Sequence, residues 1–298
     1  MNTLPTLGIV SCLGGPYRFC GHAAKLLQQS PWPKKTQLAG LQLQWHMLYP
    51  KAHGPLDSRI YQLNKEISRY TRHWTEFHQP FLVIGGDHSC ALGTWAGVLE
   101  GQKKSQNFGL LWLDAHMDAH TFATSPSKNI HGMPVAGLLG KADTRLASLY
   151  PSLRHIPPEN LILLGIRSYE REEYAFLKSV GVKIVYAECL RQQNDFAEAL
   201  TSALNQLAHR CTTVGISIDL DLVTPEDAPG VETPAPAGIK AEQLLMALQH
   251  ISRQSQVCGL EISEFNPEKD QHNKTLKLVQ NIITAFYGSG LRTGALSH

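Results

Sequence analysis

The run FGLLWL at 108–113 is apolar at every position. A strand that reads so on both faces cannot border water, and it is found mainly in parallel sheets covered by helices on both sides. The run extends through Asp114, and six others share its character: TLGIVSC (6–12), FLVIGG (81–86), NLILLGI (160–166), KIVYAE (183–188), VGISIDLDL (214–222) and CGLEISEF (258–265). LQLQWHML (41–48) is a further candidate. Amphipathic helical stretches alternate with them at 57–78, 171–180, 196–210, 241–254 and 274–287. In the first, Ile60, Leu63, Ile67, Tyr70, Trp74 and Phe77 recur at three- and four-residue steps and form one apolar stripe. An α/β fold with a mostly parallel sheet follows, either open or closed into a βα barrel. No linker or repeat divides the chain, so one domain over 1–298 is expected.

Both architectures gather ligands at the C-terminal ends of their strands, and three strand ends here carry metal-ligating residue types. In DAHMD (114–118), Asp114, His116 and Asp118 stand at alternate positions, which share one side if the chain stays extended. In ISIDLDL (216–222), Asp219 and Asp221 do the same, and in VIGGDHS (83–89) His88 follows two glycines that permit a sharp turn. Four aspartates brought together repel one another strongly. Two divalent cations bring their summed charge to zero. Oxygen-rich sites with some imidazole favour Mn²⁺, then Fe²⁺, Co²⁺ or Zn²⁺, while histidine ligands disfavour Mg²⁺.

The remaining composition narrows the partners. A net charge of +2 without a dense Lys/Arg run argues against nucleic acid or an anionic membrane. No stretch of 18 apolar residues and no signal-peptide pattern occur, so a cytoplasmic location is expected. Six cysteines lie scattered without a CxxC pair, which fits reduced thiols better than a zinc site or a disulfide framework, although Cys12 and Cys20 are close enough to be considered as a pair.

Several ordered motifs resemble those of the ureohydrolases, the family of arginase, agmatinase and their relatives, and most of all a bacterial-type arginase. They are GGDHS (85–89), DAHMD (114–118), NIHGMP (129–134), IDLDLVTP (218–225), GVETP (230–234) and LEISEFNP (260–267). The resemblance implies a three-layer α/β/α domain with about eight strands, two Mn²⁺ per subunit, a homo-oligomer (trimer or hexamer), and hydrolysis of a guanidino or amidino C–N bond. It implies that His88, Asp114, Asp118 and Asp219 hold one metal and His116, Asp114, Asp219 and Asp221 the other, with Asp114 and Asp219 bridging. A metal-bridging hydroxide would attack the guanidinium carbon. Asp118 would orient it and pass its proton on, His131 would shuttle a proton to the leaving amine, and Glu264 would pair with the guanidinium. With hydroxide and Glu264, the pocket carries about −2 and attracts a small cationic guanidino substrate.

The substrate's other end is addressed by the loop AHTFATSPSKNI (119–130), where Ser125 and Ser127 stand at the family's hydroxyl positions and His120 replaces an asparagine. Glu170, after the GIR segment, stands where an acid meets the α-amino group, and Thr233 of GVETP is added to the substrate-binding set. This favours L-arginine, giving L-ornithine and urea, over agmatine, which lacks the carboxylate. Agmatinase, formimidoylglutamase and guanidino-acid hydrolase are the alternatives within the family. Thr224, Glu232 and Ser168 depart from the usual pattern, and bear on loop support and specificity. A two-metal phosphoesterase would need cationic residues for its phosphate, which the motifs lack. A catalytically silent relative would be expected to have lost a ligand, and none is missing.

Overall fold

The computed structural model describes residues 2–16, 19–32, 41–103, 105–190, 195–252 and 254–288. Among them, β1 (Asn2–Ile9), β2 (Leu41–Leu48), β3 (Phe81–Ile84), β4 (Phe108–Leu113), β5 (Leu161–Ile166), β6 (Lys183–Tyr186), β7 (Thr213–Asp219) and β8 (Val257–Ser263) build one sheet. Its order is β2-β1-β3-β8-β7-β4-β5-β6, and every pairing is parallel. The two edges, β2 and β6, do not meet, so the open sheet is the correct alternative and the barrel is not.

The helices are α1 (Ala23–Gln29), α2 (Leu56–Glu76), α3 (Ala91–Gly101), α4 (Pro134–Leu138), α5 (Thr144–Ala147), α6 (Arg171–Val180), α7 (Asp195–Arg210), α8 (Ala241–Ile251) and α9 (Lys274–Tyr287). Residues of α1, α7, α8 and α9 pack on one face of the sheet against Leu111, Leu113, Ile216, Ile218 and Ile262. Residues of α2 to α6 pack on the other against Phe81, Val83, Leu110 and Trp112. The alternation along β4 thus divides one apolar run between two cores. Each fully buried Leu or Ile contributes about 1.5–3 kcal/mol. None of these helices is long and apolar enough to cross a membrane.

Helix α3 has no counterpart in the sequence reading, because residues 91–99 are all buried and leave no polar face to reveal a helical period. The strands also stop earlier than their apolar runs. β4 ends at Leu113 and β7 at Asp219. Asp114, His116, Asp118 and Asp221 therefore lie beyond the strands, a correction to the picture of alternate residues on extended chain.

Register sets the height of the site. Ile84, Ile262, Ile218, Leu113 and Leu164 pair in succession across β3, β8, β7, β4 and β5. The chain leaves these four central neighbours, β3, β8, β7 and β4, at one level, and everything that follows them meets above the same rung.

Candidate metal centre and active site

Each of three strand ends breaks into a tight turn closed by its own aspartate. Asp87 Oδ1 accepts the Ser89 N–H at 3.0 Å, Asp114 Oδ1 the His116 N–H at 2.6 Å and Asp219 Oδ1 the Asp221 N–H at 2.9 Å. Such Asx turns compete with the ladder and end it. Gly86 permits the first turn, since a Cβ there would lie 1.6 Å from the Ser11 carbonyl oxygen. Asp118 takes a left-handed conformation at φ 49°, as does Glu264 at φ 67°. Non-glycine residues held there cost on the order of 1–3 kcal/mol, a strain that concentrates at functional sites.

These turns bring the six expected ligands together. His88 Nδ1 lies 3.3 Å from Asp114 Oδ2, 3.3 Å from Asp118 Oδ2 and 3.2 Å from Asp219 Oδ2. His116 Nδ1 lies 3.0 Å from Asp221 Oδ2 and 3.6 Å from Asp114 Oδ1. Asp114 thus turns one oxygen to each histidine. The four aspartates and His88 are buried, and His116 is half-buried.

The electrostatics are those of a site that lacks positive charge. Burial, then the charges of Asp221 and Asp114, push Asp219 well above the carboxylate range. Burial and the Asp114 charge push Asp118 up to about 6. Burial of His88 opposes its charged form, but its three carboxylates outweigh that and hold it well above its ordinary value. Burial likewise acts to raise Asp114, yet the two imidazoles hold it below the usual range.

The donor set fits two cations. Buried His88 Nδ1 makes no hydrogen bond although three carboxylate oxygens surround it. Its other nitrogen, Nε2, lies 3.0 Å from Ser217 Oγ, and Ser217 donates to Glu261 Oε2 at 2.7 Å. Ser217 therefore accepts from Nε2–H, and Nδ1 keeps its lone pair for a ligand. Trp112 stacks on the His88 ring at 4.1 Å and donates its Nε1–H to Asp114 Oδ2 at 2.9 Å, fixing both groups.

Glu264 and His131 meet beside this cluster. Glu264 Oε1 accepts the His88 N–H at 2.7 Å and faces His131 Nδ1 at 3.1 Å, and Glu264 Oε2 is buried without a partner. Burial disfavours the charged His131, but the Glu264 carboxylate outweighs it and raises the imidazole to about 9. His120 reaches Glu170 Oε2 at 3.0 Å through Nε2, so those two are brought together as well. Ser125 is buried and Ser127 exposed, with 3.5 Å between their hydroxyl oxygens. Thr233 is exposed on the loop after β7.

A profile of the arginase family matches residues 21–288. The chain belongs to the arginase family. It is similar to the arginase of Bacillus subtilis, 38% identical over 210 residues that cover 70% of this chain and 69% of that one. The crystal structure of arginase from Bacillus subtilis superposes with a TM-score of 0.85 at 29% identity, covering 98% of this chain and 100% of that one. That of Entamoeba histolytica arginase in complex with L-ornithine gives 0.86 at 26% identity, covering 96% and 98%. Arginase-family membership makes this chain an amidinohydrolase of the binuclear metal type.

Four residues of the site escaped the sequence reading. Asp87 holds the glycine-rich N-terminal segment, accepting the Gly14 N–H at 3.0 Å, and its place before GDHS's histidine is a helix-cap signal. Glu261 is fully buried and accepts from Thr94, Cys90 and Ser217, and a lone acid inside the apolar run CGLEISEF was its signal. Glu173, read only as part of a helix, accepts the Ala119 N–H at 2.9 Å. Arg167 donates to the carbonyls of Gly165, Asp221, Leu222, Ala235 and Pro236. Its guanidinium is spent on the loop below Asp221, which leaves it unavailable to a phosphate.

The departures from the family pattern also find places. Thr224 hydrogen-bonds Glu226 and donates its N–H to Ile239, so it supports the loop. Buried Glu232 accepts from Asn266 Nδ2 at 3.1 Å and lies 3.6 Å from Lys269 Nζ. Burial, then the Glu264 charge, raises it, and the Lys269 ammonium supplies a counter-charge. All six cysteines are free thiols, Cys12 and Cys20 included.

Proposed function

We propose that this chain hydrolyses L-arginine to L-ornithine and urea with two manganese ions. His88, Asp114, Asp118 and Asp219 would hold one ion, and His116, Asp114, Asp219 and Asp221 the other. The observation that carries this reading is Asp114, whose two oxygens face two different imidazole-carboxylate sets. Two imidazole nitrogens and four carboxylates suit manganese among the divalent metals. Bound there, the ions would make hydroxide available at neutral pH.

The chain's own groups position and protonate. Glu264 Oε2, buried and unpartnered, accepts an N–H of the substrate guanidinium, and Oε1 stays fixed by His88 N–H and His131. A carboxylate tied at one oxygen and open at the other holds the guanidinium carbon in place without reorganising. Asp118, strained and buried beside His88, would orient the hydroxide and take its remaining proton once the C–O bond has formed. The C–N bond then breaks, and the leaving amine receives a proton by way of Asp118 and His131. A histidine raised to about 9 is protonated at neutral pH and ready to donate. The L-ornithine in the Entamoeba histolytica complex is the product this reading assigns.

Urea release from the manganese-loaded protein, with L-arginine and agmatine in parallel and Asp118→Asn as control, tests the reading. Urea from arginine, lost in the control, is expected. Urea from neither compound, with two ions bound, would overturn it.

A further inference from the structure

The glycine-rich segment after β1 runs between the turn at Asp87 and the start of α1, and it begins and ends near two cysteines that catalysis does not use. Its backbone lies directly against residues 20–21, since a Cβ on Gly21 would sit 2.8 Å from the Ser11 nitrogen. Two bonds cross that contact. The Gly21 N–H donates to Cys12 Sγ at 2.7 Å, and the Cys20 thiol donates to the Ser11 carbonyl at 3.7 Å. The crossing makes Cys12 and Cys20 diagonal neighbours, and their thiols interact directly. Cys12 is half-buried, whereas Cys20 is 1% exposed. Reagents in water therefore reach the first before the second.

The same segment seats two groups of the site. The Ser11 carbonyl also accepts the Asp87 N–H at 3.3 Å, and the Gly14 N–H donates to Asp87 Oδ2 at 3.0 Å. The Gly14 carbonyl accepts the His131 N–H at 3.0 Å. There is little slack between them, because a Cβ on Gly14 would lie 2.5 Å from both Asp87 Oδ1 and Ser89 Oγ. A displacement of residues 12–14 thus passes to the turn that carries His88 and to the backbone of His131.

We propose that Cys12 and Cys20 form a reversible oxidation site, closed to a disulfide by hydroperoxides and reopened by thiols. Closure shifts the Gly14 segment and slows the enzyme. The step balances with the oxidant as its one co-reactant. The Cys12 sulfur attacks the O–O bond of hydrogen peroxide, which leaves a sulfenic acid and releases one water. The Cys20 sulfur then displaces the sulfenic oxygen and gives up its proton, and a second water departs as the S–S bond forms. The two sulfurs lose two electrons, and the peroxide is reduced to two waters. Burial first, then the Cys12 thiol and the charges of Asp87 and Glu264, raise the Cys20 thiol well above its ordinary value. The second step is therefore the slower one, and the pair stays reduced where oxidant is scarce. Oxidised Cys20 has no S–H left for the Ser11 carbonyl, so closure also removes one of the bonds that cross the contact.

The experiment treats the manganese-loaded protein with hydrogen peroxide, removes the peroxide by gel filtration and reads two quantities. Peptide mapping by mass spectrometry identifies the disulfide, and urea release from L-arginine follows activity before and after dithiothreitol. The expected result is a Cys12–Cys20 disulfide and a fall in kcat of about ten- to a hundred-fold, the scale of a misplacement of about 1 Å at catalytic groups, restored by dithiothreitol. Cys12→Ser and Cys20→Ser should each block the disulfide and keep most of their activity through the same treatment, which separates closure from damage to the metal centre. No Cys12–Cys20 disulfide in the wild type overturns the oxidation site. A disulfide with kcat unchanged, or an equal loss in the serine variants, overturns its link to catalysis. The mapping needs no turnover, so a disulfide in a protein that releases no urea upholds the oxidation site and sinks the arginine reading instead. Cys12→Ala and Cys20→Ala replace any serine variant that fails to fold.

Discussion

Replacing Asp221 with Asn should cost one bound metal ion, and replacing Asp114 with Asn should cost both. The difference lies in reach. Asp114 presents Oδ2 to His88 at 3.3 Å and Oδ1 to His116 at 3.6 Å, so it belongs to both ligand sets. Asp221 Oδ2 meets only His116, at 3.0 Å, and its Oδ1 accepts the Ala115 N–H at 3.2 Å, a bond that an asparagine oxygen preserves. Metal bound to the folded chain stabilises it by about 2.7 kcal/mol per site at a hundred times the dissociation constant. For a chain of this size 1 kcal/mol is roughly 2–4 °C in Tm, so each ion is worth about 5–10 °C. Metal content by mass spectrometry after gel filtration, with thermal unfolding in excess manganese and in chelator, reads both quantities. Wild type should hold two ions and gain about 10–20 °C, Asp221→Asn one ion and half that gain, and Asp114→Asn essentially none. Equal losses in the two variants, or a wild type whose Tm ignores manganese, would refute the shared-ligand geometry.

Glu264→Gln exchanges a charged acceptor for a neutral one at the guanidinium, and should lower kcat/KM about 10–100-fold, while metal content is retained. His131→Asn should reduce kcat by about 100–10,000-fold and abolish the decline in rate as pH rises through about 9, the value at which His131 gives up its proton. Steady-state pH profiles of the two proteins would show it. Glu173 is raised from 4.5 to about 8, by burial first and Glu170 second. The folded chain thus keeps a proton that the unfolded chain has released, and this contribution is greatest below 4.5 and is lost as pH climbs to about 8. Chemical denaturation of Glu173→Gln between pH 5 and 8 should therefore show a shallower decline than wild type, and parallel curves would contradict the assignment.

Much of this was legible in the residues because one physical constraint left a clear mark. FLVI, FGLLWL and ISID are apolar where helices cover both faces of the sheet, and they turn acidic or imidazole-bearing where the strands end. The neutral sum of four aspartates and two cations followed from the strand-end motifs alone. The way the ligands converge did not. Alternate spacing in DAHMD pointed to extended chain, whereas Asx turns and a left-handed Asp118 do the work, and competition between a side-chain oxygen and the ladder leaves no periodic trace. α3 was hidden for the reverse reason, since a helix buried all round has no polar stripe. His120 was placed among substrate contacts, but its tie to Glu170 and Glu173 joins segments 50 residues apart, which spacing cannot report.

The strand order carries a consequence for how such a chain comes to be folded at all. β8, near the end of the described chain, inserts between β3 and β7 at the centre of the sheet. During synthesis, the ribosome has released β1 to β7 before their middle member exists, so the edges of β3 and β7 wait unpaired. Edges left open in this way are templates for aggregation, and long-range parallel pairing closes slowly. Glu264 reaches His88 across 176 residues of sequence, so the turn that carries His88 gains this partner only once β8 has taken its place in the sheet, although all six expected metal ligands precede β8 in the chain.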